Sequence, residues 1–183
     1  MSTEPQKASG LVEFGAKVMV WCAGASLIVM SFVITAETLL RKYAGFSIGN
    51  VHEISAYVFA ISSAWALGWA LLEGAHIRIS ALQAQFGPAG RAALDLLAWF
   101  AFLVVFAIIA YRACDLAWES YTTGARAPTT MRTLLFIPQA LWALGMVATV
   151  LVTVHVGYKA LRDRSLQIMS PADEVQAELE HLK

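Results

Sequence analysis

Four long apolar segments alternate with polar connectors along this chain of 183 residues. The segments contain no Asp, Glu, Lys or Arg and are 19, 19, 16 and 26 residues long: Val18–Ala36, Ile54–Leu72, Leu96–Tyr111 and Thr133–Tyr158. A helix needs roughly 20 apolar residues to cross a bilayer core about 30 Å thick. The segments lack the strict apolar–polar alternation of membrane β-barrel strands. The pattern therefore predicts an all-α integral membrane protein with four spanning helices.

Helix-breaking residues and the charged residues that flank the apolar segments set the predicted bounds of these helices. The helices are placed at about residues 17–40, 53–74, 92–121 and 138–159, in one four-helix bundle over residues 17–164. Pro138 is taken as the start of the fourth helix, because proline is well tolerated at the first helical position. Residues 1–16 form an N-terminal tail. Residues 165–183 form a C-terminal tail, either frayed or folded as a short amphipathic helix.

The distribution of Lys and Arg predicts that the N- and C-termini are both cytoplasmic. With this orientation the inner segments hold eight Lys and Arg residues and the outer segments hold five, in the direction of the positive-inside rule. Over the whole chain 13 Lys and Arg balance 13 Asp and Glu. A net charge of zero without a basic patch gives no reason to expect a nucleic-acid partner.

Ionisable residues are predicted only near the ends of the spans. Four charged residues border the apolar segments: Glu37, Glu53, Asp95 and Arg112. Near a helix end, water or snorkelling can satisfy a charge, whereas an ion pathway usually needs charges or broken helices at mid-depth. The sequence also carries no nucleophile–base signature, phosphate loop or metal-binding motif. We therefore expect neither an enzyme nor a self-sufficient transporter, and no cofactor in this chain.

Small residues recur every four positions in the second and fourth helices. The second helix has two such rows on nearly opposite faces, and the fourth has one. The rows are Ala56, Ala60, Ala64 and Gly68; Ser62, Ala66, Ala70 and Gly74; and Gly145, Thr149, Thr153 and Gly157. Small residues at this spacing let helix backbones approach closely in lipid. Two interpretations stay open, namely packing within the bundle and contact with another polypeptide. The candidate partner-contact residues are Ala56, Ala60, Ala64, Gly68, Gly145 and Thr149.

The histidines leave a redox alternative open. A haem between helices needs two ligands at similar depth, and His76 and His155 both lie toward the inner side. On this alternative the chain is the haem-binding membrane anchor subunit of a redox complex. The simpler interpretation is that His155 hydrogen-bonds a backbone carbonyl.

The connector after the second helix contains the sequence Gly74–Ile79, with His76 and Arg78 alternating with isoleucines. Gly74 can end the helix in a left-handed conformation. The alternation lets the polar pair face the headgroups while the isoleucines face the acyl chains. On residue types alone, the connector is an anchor at the inner membrane surface.

The order of these features resembles the small membrane subunit of tripartite ATP-independent periplasmic (TRAP) transporters, the DctQ-like family. That family has four spanning helices, an acidic residue opening the second, a Gly-x-His-Ile-Arg-Val-like motif after it, and a Pro followed by Gly in the last. The matching residues here are Glu53, Gly74, His76, Ile77, Arg78, Pro138 and Gly145. Ile79 replaces the usual Val, and a second Pro before the helix-4 glycine is absent. The resemblance covers roughly residues 18–164.

The resemblance implies a non-catalytic subunit of a secondary, sodium-coupled importer of organic anions, carboxylates or sugar acids, in the bacterial inner membrane. A large membrane subunit would carry the substrate and sodium sites, and a periplasmic binding protein would deliver the substrate. This chain would act as scaffold and docking surface among membrane lipids. Its inner-interface residues would be Gly74, His76, Ile77 and Arg78. Its outer docking residues would be Arg41, Lys42, Glu53, Arg126 and Arg132.

Overall fold

The structure is a computed structural model that describes residues 10–47, 49–73 and 88–162. The four helices are α1 (Leu11–Tyr43), α2 (Val51–Leu72), α3 (Pro88–Thr123) and α4 (Phe136–Arg162). Each contains a stretch that is long and apolar enough to cross a membrane: Val12–Tyr43, Val51–Leu72, Ala93–Thr123 and Phe136–Lys159. Over the described residues, extended pairing is limited to a bridge between Arg126 and Leu134. The predicted all-α bundle of four spanning helices is confirmed.

The helices pack side by side in the order α1, α2, α4, α3. The parallel helices α2 and α4 lie in the middle, α1 packs on α2, and α3 packs on α4. α1 also touches α4, whereas α1 and α3 do not meet over the described residues. The bundle is therefore open between its two outer helices. The links α1–α2 and α3–α4 share one end, called the loop end below, and the opposite end is called the terminal end.

α1 illustrates how little of an outer helix is buried. Its buried residues recur at intervals of seven: Ala16, Ala23, Met30 and Glu37. This spacing gives the narrow seam of a coiled coil, and within it the hydroxyls of Ser26 and Ser62 lie 2.8 Å apart. Large apolar side chains cover the rest of the helix, among them Trp21, Ile28 and Phe32. Such a surface is suited to lipid or to a membrane partner.

Trp99 and Tyr121 fix the register of α3 on α4. The Trp99 indole Nε1 donates a hydrogen bond to the Thr153 carbonyl at 3.0 Å. Its ring covers Gly157 so closely that a Cβ at that position would overlap it. Near the loop end, the Tyr121 and Phe136 ring centroids lie 5.0 Å apart. These two contacts hold the helices side by side over most of the length of α4.

The helix ends differ from the sequence-based bounds by two to six residues. α1 begins at Leu11 rather than near Lys17, and α3 continues to Thr123. Arg112 is therefore followed by eleven helical residues, and its predicted place near a helix end is wrong. α4 begins at Phe136, so Pro138 lies inside the first turn instead of starting the helix. Proline fits there because the first N–H groups of a helix have no intrahelical acceptor.

Candidate functional site

The small residues of α2 and α4 meet inside the chain at one point of closest approach. A Cβ added to Gly145 would lie 2.8 Å from the Ala64 Cβ and 3.0 Å from the Ala64 carbonyl carbon. Beside this contact, the Trp65 indole Nε1 donates a hydrogen bond to the Leu141 carbonyl at 2.9 Å. Ala64 and Gly145 are both buried. The contact between Ala64 and Gly145 holds α2 against α4.

One turn further, Gly68 packs on Thr149 and Val152. A Cβ on Gly68 would meet the Val152 Cγ2 at 3.4 Å and the Thr149 Cα at 3.7 Å. Thr149 and Thr153 are fully buried, and each donates its hydroxyl to the carbonyl four residues earlier, at 3.0 and 2.7 Å. Their polar atoms are satisfied within α4, so both threonines act as small packing residues.

The loop-end half of the α2 row is exposed. Ala56 and Ala60 are open to the surroundings, together with Phe59 and Ser63 on the same side of the helix. These four residues follow the i, i+3, i+4, i+7 spacing of one helix face. We call them the exposed α2 face. The first two residues of the row, Ala56 and Ala60, are therefore available to a partner. The last two, Ala64 and Gly68, pack on α4.

A small hairpin connects α3 to α4 at the loop end. Gly124 ends α3 with a φ of +61°, in the left-handed region that favours glycine. The Ala127 N–H then donates to the Thr133 carbonyl at 2.9 Å, and the Leu135 N–H donates to the Ala125 carbonyl at 3.1 Å. These bonds give the connector a defined shape over residues 125–135.

Two side chains at the start of α2 hold this hairpin. The Glu53 carboxylate accepts hydrogen bonds from the Tyr57 hydroxyl at 3.0 Å and the Thr133 hydroxyl at 3.1 Å. The Asn50 side-chain oxygen accepts one from the Thr130 hydroxyl at 2.7 Å. Asn50 adopts a left-handed conformation with a φ of 53°, which asparagine tolerates better than most residues. The hydroxyl-rich sequence of the hairpin is the signal for these bonds, and hydrophobic patterning alone does not reveal it.

Glu37 is a buried acidic residue that forms hydrogen bonds with the end of α1 and with the α1–α2 link. Only 2% of this residue is exposed. Its carboxylate accepts hydrogen bonds from the Arg41 guanidinium at 2.8 Å and from the Ser47 hydroxyl at 2.7 Å. The expectation that water or snorkelling satisfies Glu37 is therefore wrong, because its partners are side chains of the same chain.

The four cations proposed for docking all lie at the loop end. Arg41 and Lys42 occupy the last turn of α1, and Arg126 and Arg132 lie in the hairpin. The Arg126 guanidinium lies 3.4 Å from the Arg132 carbonyl. All four residues are exposed or largely exposed. The loop end thus presents cations on both of its links.

Glu13 joins α1 to α4 at the terminal end. Its carboxylate lies 3.7 Å from the His155 Nε2 and 3.7 Å from the Lys159 ammonium group. All three side chains are partly exposed. His155 thus has a carboxylate neighbour as well as the two valines that flank it in sequence.

Replacing Glu13 by glutamine is expected to lower the free energy of unfolding by less than about 1 kcal/mol, because partly exposed ion pairs contribute little. The loss should shrink further at high salt. Titration with SDS, followed by circular dichroism in detergent micelles at two salt concentrations, measures it. Glu73→Gln, at an exposed position at the same end, is the control. A loss much above 1 kcal/mol relative to this control would contradict the expectation.

The motif residues Gly74, His76, Ile77 and Arg78 and the tail 165–183 lie outside the described residues. Within the described ranges, no group of three or more His, Cys, Asp or Glu side chains is placed to hold a metal ion. The described residues with exposed surface include the exposed α2 face, the loop end, and the outward sides of α1 and α3.

A family model described as the DctQ component of tripartite ATP-independent periplasmic transporters matches residues 30–163. The match covers well over half of the chain and includes the second part of α1 and all of α2, α3, the α3–α4 hairpin and α4. No curated protein and no solved structure gave a significant match.

Proposed function

Because this chain belongs to the DctQ component family of TRAP transporters, whose members are non-catalytic membrane subunits, we propose that it is the scaffold subunit of an organic-anion importer. The observation that carries the proposal is the family match across residues 30–163. The substrates proposed are carboxylates or sugar acids. The whole complex would contain a large membrane subunit and a periplasmic substrate-binding protein.

The chemistry of transport is assigned to the large subunit. The proposed coupling ion is sodium, and its sites and the substrate site would lie in that partner. This division is supported by buried polar groups of this chain that form hydrogen bonds with nearby residues of the same chain. Glu37 is bonded to Arg41 and Ser47, and Thr149 and Thr153 are bonded to their own helix.

The proposed location is the bacterial inner membrane, with both termini in the cytoplasm. Four spanning helices put the two termini on the same side of the bilayer. Eight Lys and Arg residues on that side, against four at the loop end, favour the cytoplasm for it. The loop end would then face the periplasm, where a substrate-binding protein arrives.

The loop end is proposed as the docking surface for the binding protein. Arg41, Lys42, Arg126 and Arg132 would make the contacts, and charged rims of this kind chiefly accelerate and orient association. Glu53 is given a different role from these cations. Since its carboxylate accepts hydrogen bonds from Tyr57 and Thr133, it would act by holding the hairpin in position.

The exposed α2 face is proposed as one contact with the large subunit. Its small residues permit close approach of a second helix in lipid. It borders directly on Ala64, where α2 already approaches α4 in this way. α2 would thus use small residues for close helix packing twice, first within the chain and then between chains.

Co-expression with the large membrane subunit of the proposed transporter tests the function. The tagged chain is expected to purify with that subunit in a fixed ratio and to restore uptake when the binding protein is added. A chain that remains monomeric and well folded when all three proteins are present would overturn the proposal.

Leucine substitutions at two neighbouring positions should separate folding from assembly. Ala64→Leu is expected to prevent α2 from reaching α4, so the chain itself should lose its folded monomer peak. Ala60→Leu should leave the isolated chain folded, because Ala60 is exposed. It should weaken the complex by roughly 5- to 150-fold, as expected for overpacking of about 1–3 kcal/mol. Size-exclusion chromatography of each variant, alone and with the large subunit, measures both effects. An unchanged complex with Ala60→Leu would remove the exposed α2 face from the interface.

A further inference from the structure

The charge-free segments of three helices have their centres at one level of the bundle. The centres are Leu27 in α1, Ser63 in α2 and the peptide joining Gly145 to Met146 in α4. Next to these centres, the Ser26 and Ser62 hydroxyls lie 2.8 Å apart, and Ala64 packs on Gly145. Three apolar segments centred together are best accommodated when this level lies at the middle of the membrane.

α3 is displaced along its axis relative to this level. Its Ala110 packs in one cluster with Ala64 of α2 and Met146 of α4. The charge-free segment of α3 ends one residue later, at Tyr111. At 16 residues, or about 24 Å at 1.5 Å per residue, this segment is also shorter than a 30 Å membrane core. The loop-side half of α3 therefore crosses the membrane with a charged sequence.

Three ionisable residues lie in that half. Arg112, Asp115 and Glu119 come about 3, 8 and 14 Å after Ala110 at 1.5 Å per residue, inside a half-thickness of about 15 Å. The contact between Tyr121 and Phe136 supports this placement, because it sets the end of α3 level with the start of α4. All three charges thus lie between the middle of the membrane and its loop-side surface.

These charges share one exposed side of the helix. The Arg112 and Asp115 side chains are 74% and 56% exposed, and their closest nitrogen and oxygen atoms are 3.6 Å apart. With Val105 and Ile108, which are also exposed, they and Glu119 lie within a narrow arc. We call this set the charged α3 face: Val105, Ile108, Arg112, Asp115 and Glu119. The charged α3 face points away from the buried side of α3, which contains Ala110, Ala113 and Ala117 and packs on α4.

Contact with lipid is energetically unfavourable for the charged α3 face. Charges within membrane helices are costly and usually face protein or water. Asp95, which borders the other end of the same apolar segment, is buried within the chain. Side chains on α3 also lean toward its N-terminus, which is directed away from the nearer membrane surface. Arg112 therefore cannot easily snorkel out, and a protein surface that covers it would lower the cost of its charge.

We propose that the charged α3 face is covered by a membrane-embedded segment of the large subunit that offers basic or hydrogen-bond-donating groups. This inference rests on the proposed function. Two carboxylates against one guanidinium leave the face with a net negative charge, which a basic partner complements. A second copy fits poorly, because a symmetric dimer of chains with the same orientation in the membrane places Arg112 against Arg112 and Asp115 against Asp115.

Site-specific crosslinking tests the proposal on the intact complex. A photo-crosslinking amino acid is placed at Val105, on the charged α3 face, or at Ala107, exposed at nearly the same depth but about 160° around the helix. We expect at least tenfold more adduct with the large subunit from Val105 than from Ala107. Equal adducts, an adduct only from Ala107, or only lipid or self-adducts from Val105 would overturn the assignment.

Removal of the charges provides a second measurement. Arg112→Leu combined with Asp115→Leu is expected to reduce retention of the large subunit at least tenfold, whereas Cys114→Leu, exposed on the other side of α3, should leave it unchanged. A double variant that keeps the complex indicates a face toward lipid and overturns the inference. If the double variant does not fold, the crosslinking result decides.

The failure of this inference can be told from failure of the proposed function. A wild-type chain that purifies with the large subunit while Val105 gives no adduct leaves the function standing and removes this surface. If the wild-type chain does not bind the large subunit at all, both proposals are overturned.

Discussion

Replacing Gly145 by alanine should lower the free energy of unfolding of the chain by about 1–3 kcal/mol, the usual range for overpacking. The new methyl carbon would lie 2.8 Å from the Ala64 Cβ and 3.0 Å from the Ala64 carbonyl carbon. Backbone on the other side of the contact cannot rotate away, so α2 and α4 must separate. The shift should be visible in SDS titrations followed by circular dichroism.

Gly24→Ala is the matched control because it makes the same chemical change in another spanning helix. A Cβ at Gly24 meets nothing within 4 Å, so the variant should be neutral or more stable by up to about 1 kcal/mol through helix propensity. Gly68→Ala should fall between the two, since its nearest contact is 3.4 Å. If Gly145→Ala is as stable as Gly24→Ala, the helices do not approach as closely as described.

Replacing Glu53 by alanine should increase the rate at which trypsin cuts the α3–α4 hairpin by roughly 10- to 100-fold. The carboxylate accepts hydrogen bonds from Tyr57 and Thr133. A hydrogen bond to a charged group contributes about 1.5–3 kcal/mol. Cleavage follows the population of the open loop when opening is fast. Arg126 and Arg132, the two basic residues in the hairpin, report this opening directly.

His52→Ala is the control for the hairpin measurement. His52 is exposed one position before Glu53, and its backbone carbonyl, which the substitution keeps, accepts a hydrogen bond from the Ser55 hydroxyl. Its variant should be cut at the wild-type rate. Equal cleavage of the Glu53 and His52 variants would show that the carboxylate does not hold the hairpin. Binding-protein docking, measured in parallel, should weaken in step with hairpin opening.

These predictions divide the small residues of the chain by what each one touches. Ala64, Gly68 and Gly145 look alike in the sequence as members of four-residue rows. In the structure Ala64 and Gly145 are in tight contact, Gly68 has ordinary clearance, and Ala60 is open. Spacing identifies faces that can approach closely, but it does not say which neighbour will occupy them, because bundle packing and subunit packing use the same device in lipid.

The charged residues divide in a similar way. Each of Glu37, Asp95 and Arg112 borders an apolar segment, so the sequence treats them alike. The structure buries Glu37 and Asp95 and leaves Arg112 exposed, two residues after the Ala110 that packs with Ala64 and Met146. The difference comes from the axial position and rotation of each helix. Both are set by contacts with neighbours such as Trp99 with Thr153 and Tyr121 with Phe136.

By itself the sequence determined the class of this protein, its four spans and its family. The reason is that the bilayer imposes a length and an absence of charge on every spanning segment, and both can be read along the chain. Only the tertiary structure decided the order α1, α2, α4, α3, the pairing of Glu53 with the hairpin, and the exposure of Arg112. These depend on side chains that are distant in sequence and meet only when helices pack. A membrane constrains the composition of each helix separately, but it does not fix which faces of the helices come together.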